Sequence, residues 1–180
     1  MDTRTTFDIG ETVVYAMHGI GRVTDIVTKT VEGPPQRFYQ IALDSRCGGE
    51  VLVPVAGTRD VRLRRALQAT EVAPVLQQLQ RPLSQSLERG QGTRYYAWCK
   101  ERLQQGDAQG LAEVRRLLHD LAQIEIITNV HLKRIRDYVS AQLPTEIAHA
   151  LQCPHVAAER LVACALASER PLTIPFPWGG

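Results

Sequence analysis

The stretch Phe7 to Val23, FDIGETVVYAMHGIGRV, constrains the fold more than any other part of this chain. In ETVVY (11–15) and RVTDIVTKTV (22–31) β-branched residues alternate with polar ones, and Gly19 and Gly21 lie between the two segments. Period-two alternation marks a strand with one buried face, and glycine supplies turn backbone that other residues adopt poorly. A turn at Gly33 to Pro35 leads to a third strand, RFYQIALD (37–44), and a turn at Arg46 to Gly49 leads to a fourth, EVLVPV (50–55). Roughly fifty residues of short strands joined by tight turns cannot build a sandwich, so a small barrel of the SH3 or Tudor type is expected. Barrels of this size serve mainly as binding modules.

The pattern then changes period. GTRDVRLRRAL (57–67) reads as a polar, Arg-rich connection, after which Thr70 is expected to cap a helix whose apolar face is Val72, Val75, Leu76 and Leu79. RPLSQSLERGQG (81–92) is polar and broken by Pro and Gly, as a domain boundary would be. From Thr93 the spacing is helical. Tyr96, Cys99, Lys100 and Leu103 recur on one helix that stops at Gly106, and Asp107 is placed to cap the next, LAEVRRLLHDLAQ (111–123). IEIIT (124–128) is apolar enough to be a buried connection. A third helix carries VHLKRIRDYVSAQL (130–143), with Val130, Ile135, Tyr138, Val139 and Gln142 near one side; Pro144 is expected to break it, although Thr145 to Leu151 can resume as helix. HVAAERLVACALA (155–167) is a further amphipathic helix. SERPLTIPFPWGG (168–180) reads as an irregular tail whose Phe176 and Trp178 pack back on the body.

The fold class is therefore α+β: a Tudor/SH3-like β-barrel over 1–67, a connecting helix and linker over 68–92, a compact all-α helical domain over 93–167, and a tail over 168–180. No run of eighteen apolar residues and no secretory pattern at the amino terminus is present, which places the protein in the cytoplasm with no membrane contact. Cys47, Cys99, Cys153 and Cys164 are widely spaced, so ordinary reduced thiols are expected, with no metal site and no disulfide framework. His18, His119, His131, His149 and His155 fall in no metal-binding spacing, and no phosphate-binding loop or nucleophile elbow occurs. Catalysis and cofactors are disfavoured. The net charge is only +2, but residues 61–136 hold 13 Lys and Arg against 7 Asp and Glu, a clustering suited to a face that meets phosphates.

The same residues resemble a known family. FDIGETVVYAMHGIGRV is similar to the opening of the CarD/CdnL family of bacterial transcription regulators, in which an apolar residue, Gly and an acidic residue precede VVYP, then HG, then a small residue before the next strand. Gly10, Val13, Val14, Tyr15, His18, Gly19, Gly21 and Val23 are in register with that pattern. IVTKTVEG (26–33), VLVP (51–54), DVRLRRALQATEVAPVLQQL (60–79) and LQQGDAQGLAEVRRLL (103–118) continue the resemblance in order, over about residues 7–145.

The resemblance implies a monomeric, non-enzymatic protein that docks on the RNA polymerase β subunit by strand addition, through an edge at Thr28, Lys29, Thr30, Val51 and Leu52. It further implies that the helical domain contacts double-stranded promoter DNA at phosphates and minor groove with little sequence preference, through Arg94, Tyr95, Arg116, Lys133 and Arg134. The chain departs from the family at one point. Counting back from Gly106 and Asp107, Gly92 stands where the family has a minor-groove wedge tryptophan. Trp98, six residues on, is expected to pack inward, leaving Tyr95 as the aromatic nearest DNA. Two other readings remain: an adaptor whose helical domain binds a protein instead of DNA, and, more distantly, an RNA-binding barrel, disfavoured by the few aromatic residues on its strands.

Overall fold

The computed structural model describes residues 7–15, 18–30, 33–44, 49–56, 63–81, 87–124 and 127–168. Cys47, the polar stretch 82–86 and the tail beyond Ser168, with Phe176 and Trp178, lie outside the described residues. The chain divides into a sheet unit ending at Ala66 and a helical unit beginning at Leu67. The expected α+β arrangement is what the structure shows, a five-stranded antiparallel sheet followed by five helices.

The sheet unit contains β1 (Thr12–Tyr15), β2 (Gly19–Lys29), β3 (Gln36–Leu43), β4 (Glu50–Pro54) and β5 (Leu63–Arg65), in the order β4-β3-β2-β1-β5. Its main core is Phe7, Val13, Val23, Tyr39, Ile41, Val53 and Leu63. The Phe7 N–H donates to the Tyr39 hydroxyl (3.1 Å) and the two rings meet edge to face at 5.5 Å, so the phenol is both buried and satisfied. The glycine-rich motif is used structurally. His18 stacks on Tyr15 at 4.5 Å, Gly19 takes φ +94°, and the His18 N–H donates to the Tyr15 carbonyl (2.9 Å), closing the β1–β2 turn. Gly21 is required by crowding, since a Cβ there would stand 2.7 Å from the Ala42 carbonyl oxygen and from Ile41 Cγ2.

β5 was not expected. Its three residues lie in the Arg-rich connection, yet Leu63 is buried and Arg65 pairs opposite Val13 while its Nε holds Glu11 at 2.7 Å. Such a short strand has no visible alternation, and pairing with β1 is what defines it.

The helical unit contains α1 (Ala69–Gln80), α2 (Gly92–Gln104), α3 (Ala108–Ile124), α4 (Val130–Leu151) and α5 (His155–Ala167). α1 packs on α3 and α5, and α3 and α5 on α4, around a core that includes Val72, Val75, Leu76 and Leu79, as expected, and Leu111, Val114, Leu118 and Leu121. α1 starts earlier than expected: Gln68, not Thr70, is the N-cap, and its N–H donates to Glu71 Oε2 (2.8 Å). Pro74 accordingly falls in the second turn on an exposed side of α1, where water can satisfy the carbonyl it leaves unbonded.

Pro144 does not break the third expected helix, because α4 runs through it to Leu151. The proline is buried, and the Thr145 hydroxyl donates to the Ala141 carbonyl (2.8 Å) in the turn that the ring opens. The buried face of α4 is Leu132, Val139, Gln142, Leu143 and Ile147, whereas Val130, at the first helical position, is 55% exposed.

Candidate functional site

β4 lies at one end of the sheet, and its ladder decides which backbone groups face outward. The Leu43 N–H donates to the Gly49 carbonyl and the Val55 N–H to the Arg37 carbonyl, both at 2.9 Å, with Val51 opposite Ile41 and Val53 opposite Tyr39. Hydrogen-bonded and non-bonded pairs alternate in an antiparallel ladder, so residues 49, 51, 53 and 55 turn their backbone groups to β3. Glu50, Leu52 and Pro54 turn theirs away from it. Pro54 has no N–H to offer, which ends the donor series on that edge.

The register also sorts the side chains. An irregularity between Val23 and Asp25 shifts β2 by one residue, placing Ile26 opposite Tyr39 on the core face. The other face then carries two rows, Asp25–Gln40–Leu52 and Val27–Phe38–Pro54, with Lys29 opposite Gln36 beyond them. Of the expected docking residues, Lys29 and Leu52 share this outer face, and Leu52 is a large apolar side chain left 41% exposed. Thr28 and Val51 belong to the core face, Thr28 exposed past the core and Val51 packed against it. Thr30 is exposed just after β2 ends.

In the helical unit the first turns of α2 and α4 are neighbours. Tyr96 meets His131 at 5.1 Å, and a Cβ at Gly92 would lie 3.6 Å from that of Asn129. Arg94, Lys133 and Arg134 are exposed close to these two helix starts. A cavity of about 330 Å³ opens between them, lined by Gly90, Gly92, Thr93, Leu121, Ile127 and Asn129 among others. Only ordinary contacts surround the Cβ position of Gly92, so packing does not impose the glycine there.

Two expected site residues, Tyr95 and Arg116, are engaged within the helical unit, and Trp98 stands differently from the sequence reading. Tyr95 is half-buried and its hydroxyl is engaged twice by Glu88, accepting from the N–H (2.7 Å) and donating to the carbonyl (3.0 Å). Trp98, expected to pack inward, is 38% exposed, because Cys99 takes the core position of α2. Arg116 is a brace: its Nε donates to Asp120 (2.8 Å) and one terminal nitrogen to the carbonyls of Leu79 (3.0 Å) and Leu166 (3.4 Å), tying α3 to the ends of α1 and α5. Those bonds engage its Nε and one of its two terminal nitrogens.

The Gly106–Asp107 motif forms the turn between α2 and α3. Gly106 takes φ +73°, and Asp107 Oδ1 accepts from the Gly110 N–H (2.5 Å) to cap α3, as expected. Arg102 locks the same corner, pairing with Glu113 at 2.5 Å and reaching Asp107 and Gln105, with side chains only 15% (Arg102) and 24% (Glu113) exposed. The hydrogen bond to Glu113 is the main reason that the Arg102 pKa is raised. Cys99 is buried enough that its thiol is pushed up to about 12, which makes it inert.

Residues 7–66 match the family model of the CarD-like/TRCF RID domain. The sheet unit is a CarD-like/TRCF RID domain. It is thus an RNA-polymerase-interacting domain, consistent with the CarD/CdnL family, and the match ends at the same residue as the sheet unit, outside the helices. Among the described residues no helix is long and apolar enough to cross a membrane, and no three His, Cys, Asp or Glu side chains are grouped to hold a metal ion. Sequence reading missed Phe38 and Pro54 as neighbours of Leu52 on the outer face of the RID domain. Their alignment depends on three-strand register and on the shift at Asp25, neither of which leaves a local signal.

Proposed function

We propose that the chain is a non-enzymatic transcription regulator, held on the RNA polymerase β subunit by its RID domain and presenting its helical unit to promoter DNA. The observation that carries the reading is the outward-facing β4 backbone of a polymerase-interacting domain, beside the exposed Leu52. An extended segment of the β subunit would add as a further strand there, with backbone bonds supplying affinity and Leu52 and Lys29, assisted by Thr28, Thr30 and Val51, supplying selectivity. Arg94, Lys133 and Arg134 are the phosphate contacts in this reading. Trp98 joins Tyr95 as an aromatic group for sugar or base contact, being the more exposed of the two. The protein acts as a cytoplasmic monomer and shifts the closed-to-open promoter equilibrium by binding one state more tightly than the other.

A pull-down against a polymerase β fragment tests the tether: the wild type binds, and Lys29→Glu with Leu52→Glu does not. For DNA, binding is salt-sensitive and independent of sequence, and Lys133→Ala with Arg134→Ala lowers its salt slope by about 0.9 for each phosphate no longer neutralised. The cavity beside Gly92 favours a second reading, in which the helical unit receives a side chain of another protein. Absence of DNA binding at low salt, with polymerase binding intact, selects that reading.

A further inference from the structure

The cavity of about 330 Å³ between the first turns of α2 and α4 has two kinds of wall. Its floor is apolar and buried, formed by Leu121, Ile127 and Leu132. Its rim is polar, with the exposed Thr93 and Thr128 and the half-buried Asn129. Asn129 is held in one orientation. Its Oδ1 accepts from the N–H groups of His131 (2.9 Å) and Leu132 (3.2 Å) as the cap of α4, so the Nδ2 donor is the end turned toward Gly92, 3.7 Å from the Cβ position there. A Cβ at Gly92 would stand over Asn129 and Leu132, two residues of the lining, and a larger side chain would therefore enter the cavity. The surroundings are cationic. Arg94, next to Thr93, and Lys133 and Arg134, directly after Leu132, are all exposed, and no carboxylate is among the described lining residues.

An apolar floor selects a body with an apolar face, a fixed donor on the wall selects an acceptor at its edge, and the flanking cations select an anion attached to it. A nucleotide unites all three, through the faces of its base, the acceptors on the base edge and its phosphate. The volume lies near the lower end of the usual range for ligand pockets, about 300–1,000 Å³, which suits a single base. Bases in a paired duplex are stacked and cannot reach such a pocket, whereas an unpaired one enters at little cost. We propose that this cavity receives one unpaired base of the melted promoter strand. Its ring rests on Leu121, Ile127 and Leu132, an acceptor on its edge takes the Asn129 amide hydrogen, and its phosphates meet Arg94, Lys133 and Arg134. The inference rests on the DNA reading above and supplies what that reading needs, a contact offered by the open promoter and not by the closed one. A side chain of another protein, the occupant in the adaptor reading, accounts for the floor but brings no phosphate to the three cations.

The test uses the full chain and two labelled duplexes that share one strand, one fully paired and one mismatched over a few central base pairs, with affinities measured at low salt. Gly92→Leu fills the cavity from a position where only ordinary contacts surround the new Cβ. Asn129→Asp keeps an oxygen to cap α4 and exchanges the Nδ2 donor for a carboxylate oxygen, so it carries the test should Gly92→Leu fail to fold. The wild type is expected to bind the mismatched duplex about tenfold more tightly than the paired one, and each variant to lose that preference. Gly92→Leu should leave affinity for the paired duplex unchanged. Equal binding of the two duplexes by the wild type overturns the base pocket and leaves the DNA reading standing. A preference that a folded variant retains also overturns the pocket, because the surface cations alone would then hold the open strand. Binding of neither duplex ends the pocket and the DNA reading together, and leaves the cavity to a protein side chain.

Discussion

In the RID domain the polar groups proposed for recognition belong to the outward-facing backbone of β4, while in the helical unit they belong to exposed arginine and lysine side chains. The cores differ in the same direction. Seven buried residues hold most of the sheet together, centred on the Phe7–Tyr39 pair, whereas the helical core draws on all five helices. A backbone edge is positioned by the ladder behind it, so a small core suffices if the ladder is intact. The proposed phosphate contacts are side chains instead, whose positions depend on the helices that carry them, and the helical unit holds braces at Arg102 and Arg116. Recognition by edge thus depends on sheet register, and recognition by charge depends on which arginines are already engaged.

The largest effects should come from breaking one core at a time. Tyr39→Ala is expected to cost about 4 kcal/mol, and Leu118→Ala about 3 kcal/mol, through reduced burial and the cavity left behind. If the units are as separate as their cores, Tyr39→Ala abolishes polymerase-fragment binding and spares DNA binding, and Leu118→Ala does the reverse. Loss of both functions in either variant, measured alongside a chemical melt, would break the comparison.

Next in size is the α2–α3 corner. Arg102→Ala leaves Glu113 and Asp107 without their shared cation and should destabilise the helical unit by about 2 kcal/mol, less than a fully buried pair because solvent reaches the site. Its melt should shift while polymerase binding does not. Leu52→Glu sharpens the contrast from the other side: a change in stability within about 0.5 kcal/mol, but roughly tenfold or greater loss of polymerase-fragment affinity by titration.

The smallest expected effect is a pH dependence. His119 has a pKa below its ordinary 6.5, so at pH values between the two the unfolded chain binds more protons than the folded one. Stability is then full above pH 6.5 and declines as pH falls toward the lowered value. The decline should be confined to the transition of the helical unit and be missing from His119→Gln; an unchanged pH profile in that variant would assign it to other groups.

Much of the RID domain was legible in the chain, because alternation and glycine turns are local. Four of its strands follow from them, and its family from the resemblance that FDIGETVVYAMHGIGRV carries. β5 was hidden, since Leu63 to Arg65 read as charged linker until paired with β1. In the helical unit the apolar faces of α1 and α3 were legible from spacing alone. Pro144 misled, because the propensity against proline ignores the buried surface that α4 retains by continuing. Trp98 misled because its size suggested burial, while Cys99 holds the position that faces the core.

The sequence by itself determined two units, the strand and helix periods within them, and the surplus of arginine and lysine across the middle of the chain. Tertiary structure decided what each of those arginines is for. Arg115 and Arg116 have the same chemistry and adjacent numbers, and no local pattern separates them. One helical step of about 100° turns Arg116 toward Asp120 and the ends of α1 and α5, and leaves the Arg115 Nε buried without a hydrogen bond. The carbonyls that hold Arg116 come from residues distant in the chain, so its role as a brace is a property of the packed molecule.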